Sequence, residues 1–66
     1  MNICERIKGL REDHDLTQED IAKTLHISQR AYSHYENGTR SLPLDIFIKL
    51  ADYYDISLDY LAGRTK

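Results

Sequence analysis

Apolar positions recur at helical spacing along the whole chain, and no stretch alternates apolar and polar residues as a strand does. Ile3, Ile7 and Leu10 fall at i, i+4 and i+7. They predict a first helix over about residues 2 to 13, with Arg6, Lys8, Arg11 and Glu12 turned to solvent. Leu16 precedes a helix cap at Thr17, and Asp20 completes a capping box with a shorter acid than usual. Glu19 suits the positive end of the helix dipole, and Leu16 with Ile21 stand at the positions of a hydrophobic staple. The second helix, about 17–25, buries Ile21, Ala22 and Leu25. Thr24 to Ile27 makes a tight corner. Ser28 then caps a third helix, about 28–36, which stops at Asn37-Gly38, where glycine takes the left-handed conformation.

After a loop at 39–42, Pro43 suits the first turn of a fourth helix, because its missing N–H costs nothing there. Leu44, Phe47, Ile48, Ala51 and Tyr54 recur along it at helical spacing. Ile56 follows a break and Ser57 caps a short fifth helix. Leu58, Leu61 and Ala62 form its apolar side, Gly63 is its stop, and Arg64 to Lys66 make a basic tail. The expectation is an all-α fold, a compact five-helix bundle around one small core, with residues 1–66 as a single domain.

The third helix carries the chemistry. Ala31, Tyr32 and Tyr35 occupy one side, while Gln29, Arg30 and His34 lie largely on another. Two short helices joined by a fixed corner, the second bearing long hydrogen-bonding side chains near its start, suit the DNA major groove. Gln pairs bidentately with adenine N6/N7 and Arg with guanine O6/N7. His34, one turn after Arg30, could donate to a base edge or a phosphate, and Ser33 could reach either. Gln18 sits at the first turn of the second helix, where free N–H groups attract an anion. Ser28, Asn37, Thr39, Arg40 and Ser41 flank the reading segment and are placed for the sugar-phosphate backbone.

Charge tempers this picture. The formal net charge is −2, and duplex binding is driven largely by phosphate neutralisation. Residues 44–60 hold Asp45, Asp52, Asp55 and Asp59 against Lys49 alone, whereas Arg30 and Arg40 face only Glu36 across residues 28–43. A weak basic patch on an acidic body implies modest non-specific affinity.

The chain resembles the phage Cro and lambda-repressor type of helix-turn-helix domain, also called the xenobiotic-response-element family. The residues that carry the resemblance are Arg11, LTQEDIA at 16–22, HIS at 26–28, YSHYENG at 32–38 and SLDYLAG at 57–63. They cover essentially the whole chain. The resemblance implies a five-helix lambda-repressor-like DNA-binding domain that binds operator DNA as a homodimer. It implies that Gln18, Gln29, Arg30 and His34 face bases or adjacent phosphates and that Asn37 and Arg40 grip the backbone. Glu36 would brace the fold, pairing with Arg11. His26 departs from the pattern, since the family usually has Gly in the corner. If positive φ is needed there, His costs about 1 kcal/mol.

The remaining features carry blander readings. Tyr32 and Tyr35 are expected in the core rather than as stacking platforms. His14, His26 and His34 match no common metal spacing, no second cysteine joins Cys4, and Asp52, Asp55 and Asp59 lack the Gly-centred loop of a calcium site. No metal and no cofactor is expected. Tyr54, Ile56, Leu58, Tyr60 and Leu61 are a surplus of apolar side chains near the C-terminus, offered here as a dimer seam. No apolar run of roughly 18 residues or secretory signal is visible, so neither a membrane span nor export is expected. No phosphate loop, nucleophile elbow or acid-base pair suggests an enzyme.

The expected function is that of a sequence-specific double-stranded DNA-binding transcriptional regulator, a repressor on a pseudo-palindromic operator, cytoplasmic and nucleoid-associated in a prokaryote or phage. The alternative is a protein-interaction module, such as an antitoxin or an antirepressor-binding partner, using the acidic fourth and fifth helices.

Overall fold

Helix starts in this protein are chosen by side chains that take over orphan backbone N–H groups. Asn2, Thr17, Ser28 and Ser57 accept from the amides of Glu5, Asp20, Ala31 and Tyr60 at 2.9, 3.1, 3.1 and 3.0 Å. Thr17 and Asp20 form a full capping box, with the Thr17 N–H donating to Asp20 at 3.0 Å. Those hydrogen bonds hold the exposed Asp20 carboxyl below its usual range. The computed structural model describes residues 2–63. Its helices are α1 (Ile3–Asp13), α2 (Gln18–Leu25), α3 (Gln29–Asn37), α4 (Leu44–Tyr54) and α5 (Leu58–Leu61), with no strand among the described residues.

Helix ends share a device as well. Asp15, His26, Gly38 and Asp55 all take the left-handed conformation, with φ of 56°, 60°, 78° and 54°. The next N–H in each case returns to the carbonyl five residues back: Leu16 to Arg11, Ile27 to Ala22, Thr39 to His34 and Ile56 to Ala51, at 3.0 to 3.1 Å. This is the Schellman pattern. It turns Leu16, Ile27 and Ile56 inward, where they pack against the core. The corner at His26 therefore does require positive φ.

The helices wrap one cluster. Ile7 of α1, Ile21 and Leu25 of α2, Tyr32 of α3, Leu50 of α4 and Leu61 of α5 have at most 1% of their surface exposed. Ile3 and Leu10 pack at its margin, completing the α1 stripe.

Four expectations need correction. Pro43 is the N-cap of α4, extended at ψ 150°, and the first turn begins at Leu44. The buried row of α4 is Ile46, Leu50, Ala51 and Tyr54, with Phe47 half-buried; Leu44 is 70% exposed and Ile48 is exposed too. Apolar residues fill both rows of this helix, so spacing does not choose between them, whereas packing against α2 and α5 does. In α5 only Leu61 is buried, because the helix is a single turn; Leu58 and Ala62 face outward. Arg11 does not face solvent either, for a reason that belongs to the site. The expected tail at 64–66 lies outside the described residues.

Candidate nucleic-acid interface

A buried carboxylate sets the angle between the first three helices. Glu36, on the inner side of α3, is 7% exposed. Arg11 of α1 grips it with two parallel bonds, Nε to Oε2 and Nη2 to Oε1, both 2.9 Å. The remaining Arg11 nitrogen, Nη1, donates to the Leu16 carbonyl at 2.8 Å. Gln18, at the first turn of α2, donates from Nε2 to Glu36 Oε1 at 3.1 Å. Burial by itself raises the Glu36 carboxyl, but the hydrogen bonds from Arg11 and Gln18 outweigh it and hold the group below its usual range. The Glu36 bond in turn raises the Arg11 guanidinium. Burial first, and then the neighbouring Glu36 carboxylate, push the Tyr32 phenol far up; burial and Tyr53 push Tyr54 up to about 12. Both phenols are therefore neutral parts of the core.

With its back fixed, α3 turns its other side outward. Gln18, Gln29, Arg30, Ser33, His34 and Asn37 together line one shallow concavity between α2 and α3. Tyr32 and Tyr35 lie behind it, buried. Arg30 is the only formally charged side chain on its lining. Within the concavity, Asn37 Nδ2 donates to Ser33 Oγ at 3.3 Å, and His34 Nδ1 lies 2.7 Å from Thr39 Oγ1. Gln29 and Arg30 have no hydrogen-bond partner among the described residues, so their polar ends are available.

The other candidate residues divide. Ser28 is occupied as the α3 cap, although its hydroxyl proton is free to donate outward. Thr39 is exposed beside His34. Arg40 lines a separate hollow with Ile3, Cys4, Tyr35 and Phe47, away from Gln29 and Arg30. The suggested C-terminal seam is redrawn: Tyr54 (7% exposed) and Leu61 (0%) belong to the core of this chain and have no surface to offer a second one. Leu58 and Tyr60 are exposed and Ile56 is half-buried. Tyr60 also lies beneath Arg6, whose guanidinium carbon stands 4.4 Å from the ring centroid. Two contacts escaped the sequence reading, Gln18 to Glu36 and His34 to Thr39. The second had a local signal, a hydroxyl just past the glycine that ends α3.

A capped helix held at a fixed angle on its partner, with its polar row gathered in one hollow, is a helix-turn-helix arrangement. The helix-turn-helix family model matches residues 7–61. This chain belongs to the helix-turn-helix family. Its structure superposes on the crystal structure of a transcriptional regulator from Listeria innocua with a TM-score of 0.90 at 28% identity, over 98% of this chain and 61% of the other. The uncharacterized HTH-type transcriptional regulator YobD of Bacillus subtilis is 40% identical over 62 residues, 94% of this chain and 55% of YobD. The antitoxin PezA of Streptococcus pneumoniae is 36% identical over 97% of this chain and 40% of its own length. The cryptic phage CTXphi transcriptional repressor RstR of Vibrio cholerae is 36% identical over 92% of this chain and 55% of its own length. This helix-turn-helix chain thus spans about half the length of these curated relatives. The resemblance to the Cro and lambda-repressor type is borne out, and so is the all-helical fold.

Proposed function

We propose that this helix-turn-helix chain is a sequence-specific double-stranded DNA-binding transcriptional regulator that represses, and not an enzyme. The observation that carries the reading is the single concavity uniting Gln18, Gln29, Arg30, Ser33, His34 and Asn37 over a buried Tyr32–Glu36 backing. Gln29 and Arg30 read base edges, Gln18 and His34 a base edge or adjacent phosphate, and Ser28, Ser33, Asn37, Thr39 and Arg40 the sugar-phosphate backbone. Relatives that are named transcriptional regulators and a transcriptional repressor support this reading. Two copies, joined at the exposed residues Leu58 and Tyr60 beside Ile56, would read half-sites about 34–36 Å apart on a pseudo-palindromic operator in the cytoplasm.

Selection of bound duplexes from a random pool tests it. The expected outcome is one enriched motif with two-fold symmetry, whose affinity falls steeply as salt rises. Absence of enrichment, or binding indifferent to salt, overturns it.

A second reading rests on a separate observation. Leu44, Ile48, Tyr53, Leu58 and Tyr60 are exposed on the acidic α4 and α5, and one relative is named an antitoxin. That face would then hold a protein partner, while the α3 concavity stays available for DNA. Tight capture of a protein with no duplex affinity would favour it alone.

A further inference from the structure

The Thr39 hydroxyl makes two contacts with His34. Thr39 Oγ1 lies 3.3 Å from the His34 carbonyl oxygen and 2.7 Å from His34 Nδ1. A carbonyl only accepts, and a hydroxyl has one proton to donate. When that proton is directed to the His34 carbonyl, the Thr39 oxygen meets the ring with a lone pair, and Nδ1 carries the ring hydrogen. In the neutral imidazole, Nε2 is then the bare acceptor. Nε2 is also the ring nitrogen without a partner among the described residues, on a side chain that lines the concavity.

We propose that His34 is a specificity-determining residue whose preferred base depends on its protonation. Neutral, Nε2 accepts and selects a base with a major-groove donor, cytosine N4 or adenine N6. Protonated, Nε2 donates and selects an acceptor, guanine O6/N7, thymine O4 or adenine N7, so adenine serves both states. The inference rests on the DNA-reading function proposed above.

Few formal charges stand near the ring. On the concavity, Arg30 is the one formal charge, and α2 contributes the neutral Gln18. Glu36 lies behind, its carboxylate held by Arg11 of α1 and by Gln18. Arg40 of the following loop lines a different hollow, and α4 and α5 place no residue on this lining. An imidazole is the side chain suited to changing charge between about pH 5 and pH 8.

Duplex selection from a random pool at about pH 8 and again at about pH 5.5, the range over which imidazoles protonate, tests this. The expected result is one column per half-site that moves from cytosine to guanine or thymine, with adenine tolerated at both pH values and a preference of about fivefold for the single bond involved. His34→Gln should make that column indifferent to pH, which separates His34 from His14 and His26. Thr39→Val should weaken binding generally, and it should broaden that column at the higher pH because either ring nitrogen can then carry the proton. Nitrogen-15 correlation spectra of the free protein supply a readout without DNA, in which His34 is expected with hydrogen on Nδ1. A neutral ring with hydrogen on Nε2 overturns the inference. So does an operator identical at both pH values, or acid tightening of all sequences alike, which marks a phosphate contact. No enrichment at either pH overturns the DNA-reading function itself.

Discussion

Glu36 is the residue on which the geometry of the reading surface turns. Removing one partner of a buried, bidentate pair leaves the other charge uncompensated, at a cost of about 3–5 kcal/mol. A chain of 66 residues has roughly 3–10 kcal/mol of total stability. Glu36→Ala is therefore expected to melt far below the parent protein in a urea titration. The pH dependence has a definite sign. Because the folded carboxyl lies below its unfolded value, its stabilisation is complete above the ordinary carboxylate range and fades as pH falls through the depressed value. Thermal melts from neutral pH downward should show this acid loss, and Glu36→Gln should remove much of it. Arg30 and Arg40 separate by role. Arg30→Ala is expected to cost roughly 1–3 kcal/mol and relax one base position, while Arg40→Ala weakens all duplexes alike and lowers the salt slope by about one. Identical effects of the two across a set of sequences would refute the assignment. At this scale the polar row was legible, because Gln29, Arg30 and His34 share a face by spacing alone. The Gln18–Glu36 bond was not, because its proximity depends on how the helices close, while the His34–Thr39 bond had only the hydroxyl past Gly38 as a local mark.

Among elements, the helix ends are where sequence and conformation disagree. Left-handed backbone disfavours side chains other than glycine by roughly 1 kcal/mol or more, yet His26 and Asp55 occupy it. His26→Gly is expected to stabilise the domain by up to about 1 kcal/mol, a rise of roughly 4–8 °C in Tm for a protein this small. Asp55→Gly should behave similarly but gain less, since aspartate tolerates this region better. Gly38→Ala works in reverse: φ is +78°, and an added Cβ would stand 3.4 Å from Cys4 Sγ. Calorimetry on the three variants checks all three signs. Starts were readable from Thr17, Ser28 and Ser57 because a cap is a local contract between neighbours in sequence. The stops at Asp15 and Asp55 carried no such mark. Nor did the inward row of α4, whose apolar residues cover more than one face.

Across the whole molecule, exposed apolar surface is concentrated on α4 and α5 at Leu44, Ile48, Tyr53, Leu58 and Tyr60. If two copies meet there, Leu58→Glu should yield a monomer by sedimentation equilibrium with an unchanged melting profile at low concentration. Leu61→Glu should instead unfold the chain, because that side chain is wholly buried. An intact dimer in the Leu58→Glu protein would move the seam elsewhere. The fold and the proposed reading surface meet at Glu36 but part company at Gln29 and Arg30, which have no hydrogen-bond partner among the described residues. Exchanging those two side chains would leave caps, core and brace untouched. With Gln29 and Arg30 reading bases as proposed, a lineage carrying this scaffold would readdress itself to new operators through a pair of substitutions, with hardly any change in how well it folds.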